Sequence, residues 1–167
     1  MLFRSMLSTL HTNSAPETIV RLLDLGVDPF TCADAMLGII AQRLVKCLCA
    51  ECKASYHPPP EAYNDLAEAY GREEFERLGV PNDDRFVLWR GRGCGHCNNT
   101  GYRGRAGIHE LLIASDEVKR LIQTRARVAE ILARAKADGM TTLVQDGIVK
   151  SLQGITDLAQ VRAVAIK

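Results

Sequence analysis

Four cysteines in two pairs are the residues of this chain best suited to chemistry. Cys49-Ala-Glu-Cys52 and Cys94-Gly-His-Cys97 are each a turn that presents two thiolates to one ion, and 41 residues separate the pairs. Together they offer a closed tetrahedral shell for a structural zinc ion, with sulfur about 2.3 Å from the metal and no position left for water. A closed shell of this kind stabilises a fold and does not activate a nucleophile. Cys47-Leu48-Cys49 supplies an alternative first ligand, and His96 an alternative to one sulfur. Both need a poorer turn, which leaves Cys47 as a free thiol at the helix end. Disulfides are the competing use of six cysteines, but the first residues do not read as a secretory signal: the apolar run after Arg4 is broken by Ser5, Ser8 and Thr9 and ends at His11 and Asn13. A reducing cytosol is the expected compartment, and there paired C-x-x-C motifs favour metal.

A second candidate is His11, in Ser8-Thr9-Leu10-His11-Thr12-Asn13, where an apolar stretch runs out into polar residues. Ligands bind at the C-terminal ends of strands in α/β sheets, so a histidine there is placed to hydrogen-bond a phosphate or polarise a water. A histidine that satisfies nearby turn groups is the plainer reading of the same residue. His109, beside Glu110, reads as strand surface. Gly91, Gly93 and Gly95 resemble a dinucleotide loop, but the Gly-x-Gly-x-x-Gly pattern fails at His96 and no helix follows, so they serve the turn at the metal. No lysine follows a glycine anywhere in the chain, so a phosphate-cradling Gly-Lys-Ser/Thr loop is absent from this sequence.

The elements that must position these residues can be read from periodicity. Leu7 to Leu10 suits a buried strand end. Ser14-Ala-Pro-Glu17 is a capping pattern that starts a helix with Ile19, Leu22 and Leu23 on one face and Gly26 as its stop. Asp28-Pro29 starts a second helix, apolar nearly all round from Phe30 through Met36, Leu37, Ile39, Ile40, Leu44 and Val45, as expected of a helix buried on several sides. Pro58-Pro59-Pro60 breaks the chain, and Glu61 to Leu78, with eight charged residues, reads as an exposed helical pair. Phe86 to Trp89 is a short strand into the second cysteine pair, and Ile108 to Ile113 alternates as a strand returning to the main body. Helices follow around Val118, Leu121 and Ile122, around Val128, Ile131, Leu132 and Ala135, around Val144, Ile148 and Leu152, and finally from a Thr156 cap through Val161 and Val164.

The chain has 167 residues, 47% of them hydrophobic and 25% charged, enough for one domain or one domain with an appendage. A net charge of +1 gives no reason to expect nucleic acid or a membrane surface as partner, and no apolar run approaches the roughly 20 residues that cross a bilayer.

The order of motifs resembles a known family. Ser8-Thr9-Leu10-His11-Thr12-Asn13-Ser14-Ala15 comes first, then Leu37-Gly38-Ile39-Ile40-Ala41-Gln42-Arg43-Leu44, then the cysteine pairs. Gly101-Tyr102-Arg103-Gly104-Arg105-Ala106-Gly107-Ile108-His109-Glu110-Leu111-Leu112 follows, and Asp138-Gly139-Met140-Thr141-Thr142-Leu143 with Asp146-Gly147 closes the series. From about Leu7 onward this looks like the C-terminal portion of the type II secretion and type IV pilus assembly ATPases, the hexameric traffic ATPases of the GspE/PilB type. The resemblance implies an α/β fold: the C-terminal part of a RecA-like P-loop ATPase domain with an inserted tetracysteine zinc subdomain and a C-terminal helical bundle. It divides the chain into 1–46, the end of the ATPase core; 47–105, the metal-binding insertion; and 106–167, the return strand and helical subdomain.

By the same resemblance His11 ends the family's His box and faces the nucleotide γ-phosphate, and Cys49, Cys52, Cys94 and Cys97 hold the metal. The other histidine of that box is replaced here by Arg4. Walker A, the acidic box and Walker B lie upstream in the family, so ATP and Mg2+ are cofactors only of an intact family protein, and this chain alone is expected to be inactive, as a fragment or a truncated gene product. The implied partners are the other subunits of a homo-hexamer and the inner-membrane platform protein of the machine, at a cytoplasmic location peripheral to that membrane, with no nucleic acid. The competing class is a free-standing zinc-stabilised adaptor that docks on another protein. A zinc-ribbon nucleic-acid binder is disfavoured because the basic residues form no cationic face.

Overall fold

The computed structural model describes residues 6–165, so Arg4 lies outside the described residues. The chain is a mixed α/β protein that divides into two compact units, residues 1–41 with 110–140 and residues 42–109 with 141–167.

In the first unit, α1 (Ala15–Asp24) starts where the capping pattern places it. Ser14 is the N-cap, its hydroxyl accepts from the Glu17 amide, and Pro16 occupies the first turn. Gly26 ends the segment at φ +91°, a conformation that favours glycine. α2 (Pro29–Ala35) is capped by Asp28, whose carboxylate accepts from both the amide and the hydroxyl of Thr31. Those bonds hold the Asp28 carboxyl below its usual range. The helix is far shorter than its apolar run suggests. From Gly38 the chain is the strand β1 (Gly38–Leu48) instead. Its buried residues Ala41, Val45 and Leu48 are spaced by four and three, a helical interval, while the neighbouring Ile40 is 68% exposed. A strand apolar on both faces imitates a helix apolar all round, and the β-branched pair Ile39-Ile40 behind Gly38 decides for the strand. Leu7 to Leu10 is the second departure. No strand forms there and Leu7 is wholly exposed, because no neighbouring strand among the described residues takes up its backbone groups.

α5 (Asp116–Gln123) and α6 (Val128–Ala137) complete this unit. Ser115 caps α5, accepting from the Val118 amide while its own hydroxyl donates to Asp138, which Arg134 also pairs. α2 packs on α5, α5 on α6, and α6 on α1. Ile19, Leu23, Leu112, Val118, Ile122 and Ile131 supply the buried apolar surface.

The second unit is built on an antiparallel hairpin and helices. β2 (Lys53–Tyr56) pairs with β3 (Leu88–Gly91) from Lys53 opposite Gly91 to Tyr56 opposite Leu88, so β3 begins two residues later than Phe86. Between them lie α3 (Glu61–Tyr70) and α4 (Arg72–Arg77), the helical pair read from the insert. The pair is not merely an exposed appendage. Leu66, Ala67, Tyr70 and Phe75 are buried together with Phe86, Leu88 and Ile148, and the rings of Tyr63 and Tyr70 meet Phe75 edge-on at 5.3 and 5.8 Å. Four apolar residues among many charges are enough to make one buried stripe on two short helices.

α7 (Leu143–Leu152) supplies Ile148 to this core and packs on α3 and β3. Its N-terminus is a capping box in which Thr142 and Gln145 exchange bonds, and Gln145 also donates to the Tyr70 carbonyl. α8 (Leu158–Ala165) follows, and its cap is Asp157, which accepts from the Gln160 amide. Thr156, the expected cap, is fully buried and donates its hydroxyl to the Lys46 carbonyl instead. Trp89 of β3 donates its indole N–H to the Leu152 carbonyl, and its ring lies 2.8 Å from where a Cβ on Gly154 would stand. Lys53 covers the same ring at 5.2 Å and donates to the Gly154 carbonyl.

The return strand is β4 (Tyr102–Ile113), longer than the alternation from Ile108 to Ile113 because it includes the polar stretch before it. β4 pairs with β1 in a two-stranded sheet. The ends of these strands at 38–41 and 110–113 belong to the first unit and the remainder to the second.

Candidate functional site

The second unit brings the four predicted cysteines together. Cys49 and Cys52 bracket the turn between β1 and β2, where the Cys52 and Lys53 amides both donate to the Cys49 carbonyl. Cys94 and Cys97 bracket a single 3-10 turn over Gly95–Cys97, with Asn98 and Asn99 at positive φ behind it. All four sulfurs lie within 4.8 Å of one another. The measured separations are 3.9 Å for Cys49 to Cys94, 3.8 Å for Cys52 to Cys97 and 3.7 Å for Cys94 to Cys97.

These separations distinguish the uses of the cluster. A disulfide brings sulfurs to about 2.05 Å, so none of these pairs is bonded. Sulfurs about 2.3 Å from a common centre stand roughly 3.8 Å apart at the corners of a tetrahedron, which is the spacing found. The four residues therefore fit a metal ion bound by thiolates alone. Cys47, half-buried on β1, and His96, exposed on the 3-10 turn, are not among the clustered ligands. A Cys47→Ser variant is expected to retain its full metal content by elemental analysis, since serine at that position removes none of the four sulfurs.

The backbone around the cluster tunes the sulfurs. Burial works against the charged form of Cys97, but amide N–H groups of Cys94 and Gly101 donate to its sulfur at 3.2 and 3.3 Å and bring its thiol down to about 6. Cys52 goes the other way, up to about 11, through burial and through the neighbouring thiols of Cys97, Cys94 and Cys49. The Cys94 and Gly101 amides thus favour the thiolate form of Cys97, and a bound cation would supply the charge that lets the cluster ionise.

Gly91 and Gly101 set how closely the two turns approach. A Cβ on Gly91 would lie 2.2 Å from the Gly101 carbonyl oxygen, and Gly101 itself has φ +80°. Gly93, at φ +88°, packs on the backbone of Asn99. The glycines thus serve the metal turns. Gly101 also receives the Cys49 amide on its carbonyl, which ties the first cysteine turn to the segment after the second.

His11 stands apart, in the first unit. It is exposed and, with Thr12, Asn13, Glu17, Arg21, Asp24 and Val128, lines a cleft of about 280 Å3 over the start of α1. The segment it belongs to is tied to that helix: the hydroxyls of Thr12 and Thr18 meet at 2.6 Å, and the Asn13 amide donates to Glu17.

Sequence reasoning passed over two groups. Asp146 of α7 accepts from the His109 amide at 2.8 Å and from Lys150 at 2.5 Å, and Lys150 reaches the Gly107 carbonyl, which fastens β4 to α7. His109 itself is on the strand surface, as read from the sequence. The other is Glu110, buried on β4. Its signal is a carboxylate in the same alternating register as the apolar Ile108 and Leu112.

Taken together, an α/β chain with this motif order and a four-thiolate centre defines a class, and the chain belongs to the family described as Type II/IV secretion system protein, which it matches over residues 4–163. It is 41% identical over 162 residues to the type IV pilus assembly ATPase PilB of Thermus thermophilus, covering 97% of this chain and 17% of that protein. It is 41% identical over 156 residues to the type II secretion system protein E of Pseudomonas aeruginosa, covering 93% of this chain and 28% of the relative. Against the type II secretion system ATPase E of Vibrio cholerae the figures are 38% over 159 residues, 95% and 29%. The chain thus spans less than a third of the length of these relatives. No helix among the described residues is long and apolar enough to cross a membrane.

Proposed function

We propose that this chain is the C-terminal segment of a hexameric cytoplasmic ATPase that powers type II protein secretion or type IV pilus assembly. The family match across residues 4–163 carries the reading, together with relatives at 41% identity whose names include a pilus assembly ATPase. In it, residues 1–46 are the end of a RecA-like core, 47–105 a zinc insertion and 106–167 the return strand and helical subdomain. Cys49, Cys52, Cys94 and Cys97 hold structural zinc, which closes the turns around the insertion and takes no part in hydrolysis. His11 donates a hydrogen bond to the γ-phosphate of ATP bound largely by sequence outside this chain, from the cleft it shares with Thr12 and Arg21. Neighbouring subunits and an inner-membrane platform protein are the partners.

The 167-residue chain is expected to bind one zinc and to turn over no ATP, because it has no phosphate-cradling Gly-Lys-Ser/Thr loop. A longer protein that joins it to Walker A and Walker B sequence is expected to hydrolyse ATP. Robust hydrolysis by the 167-residue chain would sink the reading, and an extended protein that neither hydrolyses ATP nor oligomerises would favour the free-standing zinc adaptor in its place.

A further inference from the structure

Glu110 is the only charged side chain among the fully buried described residues, with 3% of its surface exposed. Burying a carboxylate is costly unless specific donors replace water. It shares its face of β4 with Ile108 and Leu112, where an aliphatic residue would pack without that cost. Its Oε1 accepts from the Ala15 amide at 2.7 Å, across 95 residues of sequence.

Ala15 is the first residue of α1, and its amide is one of the donors that a helix leaves without an internal partner. Ser14 caps a different one, the Glu17 amide. Glu110 therefore completes the cap from outside the helix, with a negative group at the end where the helix dipole favours it. His11 is four residues upstream, and the residues between are referred to the first turn of α1. Thr12 meets Thr18, the Asn13 amide reaches Glu17, and the Thr18 hydroxyl donates to the Ser14 carbonyl at 3.0 Å. Thr12 and Asn13, the two residues that follow His11, are thus tied to the first turn of α1, and Glu110 holds the start of that turn to β4.

We propose that Glu110 is a positioning residue for His11, holding the start of α1 on β4 so that the imidazole keeps a fixed place in its cleft. The proposal rests on the reading of His11 as a phosphate-facing group. Two variants separate position from stability: Glu110→Gln keeps a carbonyl oxygen for the Ala15 amide, and Glu110→Ala removes it. In the zinc-loaded 167-residue chain, Glu110→Ala is expected to shift or broaden the His11 ring resonances by NMR and to speed amide exchange at Asn13 and Ala15 about tenfold, with Glu110→Gln close to the parent. In the extended ATPase, Glu110→Ala is expected to lower kcat on the order of 10- to 100-fold with KM for ATP little changed, and Glu110→Gln to restore most of it. If Glu110→Ala does not fold, Glu110→Asp, which withdraws the carboxylate by one methylene, is expected to show the same shifts at His11. A lowered melting temperature with His11 resonances and Asn13 exchange unchanged would overturn the positioning role. Absence of ATP turnover in the extended parent protein would count instead against the phosphate role of His11, and the NMR comparison would still decide what Glu110 does.

Discussion

Replacing Cys97 with serine is expected to abolish metal binding, taking zinc from one per chain to near zero by elemental analysis. The other three sulfurs would remain, but Cys97 is the member of the cluster that the backbone has prepared. It receives the amides of Cys94 and Gly101 and lies within 3.8 Å of both Cys52 and Cys94. A serine oxygen is shorter, harder and poorly ionised, so it fails both as a ligand and as the acceptor of those two amides. Structural zinc sites bind with apparent free energies of about 10–16 kcal/mol, and a site absent from the unfolded chain passes that energy to the fold. A loss on the order of 5 kcal/mol or more is therefore expected in Cys97→Ser, and a similar loss when a strong chelator strips the parent protein. Amide exchange should localise the damage to residues 49–56 and 88–101, the two turns and the hairpin they close. A Cys97→Ser chain with full zinc content would show that the ligand set is misassigned.

The second large effect is expected at Phe75. Its side chain is fully buried, at the centre of the aromatic group formed with Tyr63 and Tyr70, and it comes from a helix of only six residues. So short a helix has little stability of its own and depends on the face it buries. Phe75→Ala removes most of that face and leaves a cavity between α3, α4 and the Phe86 side of the core, at a cost of about 3–5 kcal/mol. The melting temperature should fall by about 10 °C while zinc content stays at one per chain. Loss of zinc in this variant would mean that the metal turns rely on the helical core. A change below about 1 kcal/mol would mean that α4 contributes little to the fold.

Both sites were readable in the sequence to different depths. The cysteine cluster was legible because C-x-x-C spacing fixes two sulfurs locally, and only the closure of two turns on one another had to be supplied by the fold. Caps were legible for the same reason: Ser14, Asp28 and Gly26 act within a few residues of themselves. Elements whose burial is decided at a distance were harder. β1 carries buried residues at 41, 45 and 48 among other apolar ones, a pattern that a buried helix shares, and only the β-branched pair Ile39-Ile40 behind Gly38 separates the two locally. Phe75 lies among charged neighbours, and it is buried with Phe86, beyond the end of its helix, and with Ile148, far along the chain. Thr156 had a cap-like position, but the Lys46 carbonyl, 110 residues away, took its hydroxyl. Glu110 belongs with these, since its partner is set by how β4 lies against α1 and not by the residues around it.

Trp89 is the only tryptophan in the chain. It stands on the hairpin strand that leads to the second cysteine pair, and its indole N–H is bonded to the last turn of α7 under the cover of Lys53. The protein consequently carries its own optical gauge. Its ultraviolet emission reports whether the metal-bearing hairpin is seated on α7, without a label and independently of the metal assay. Emission that moves to longer wavelength as zinc is withdrawn would mark the hairpin coming away from that helix, whereas an unchanged spectrum would show that the aromatic core holds the hairpin in place after its turns have opened.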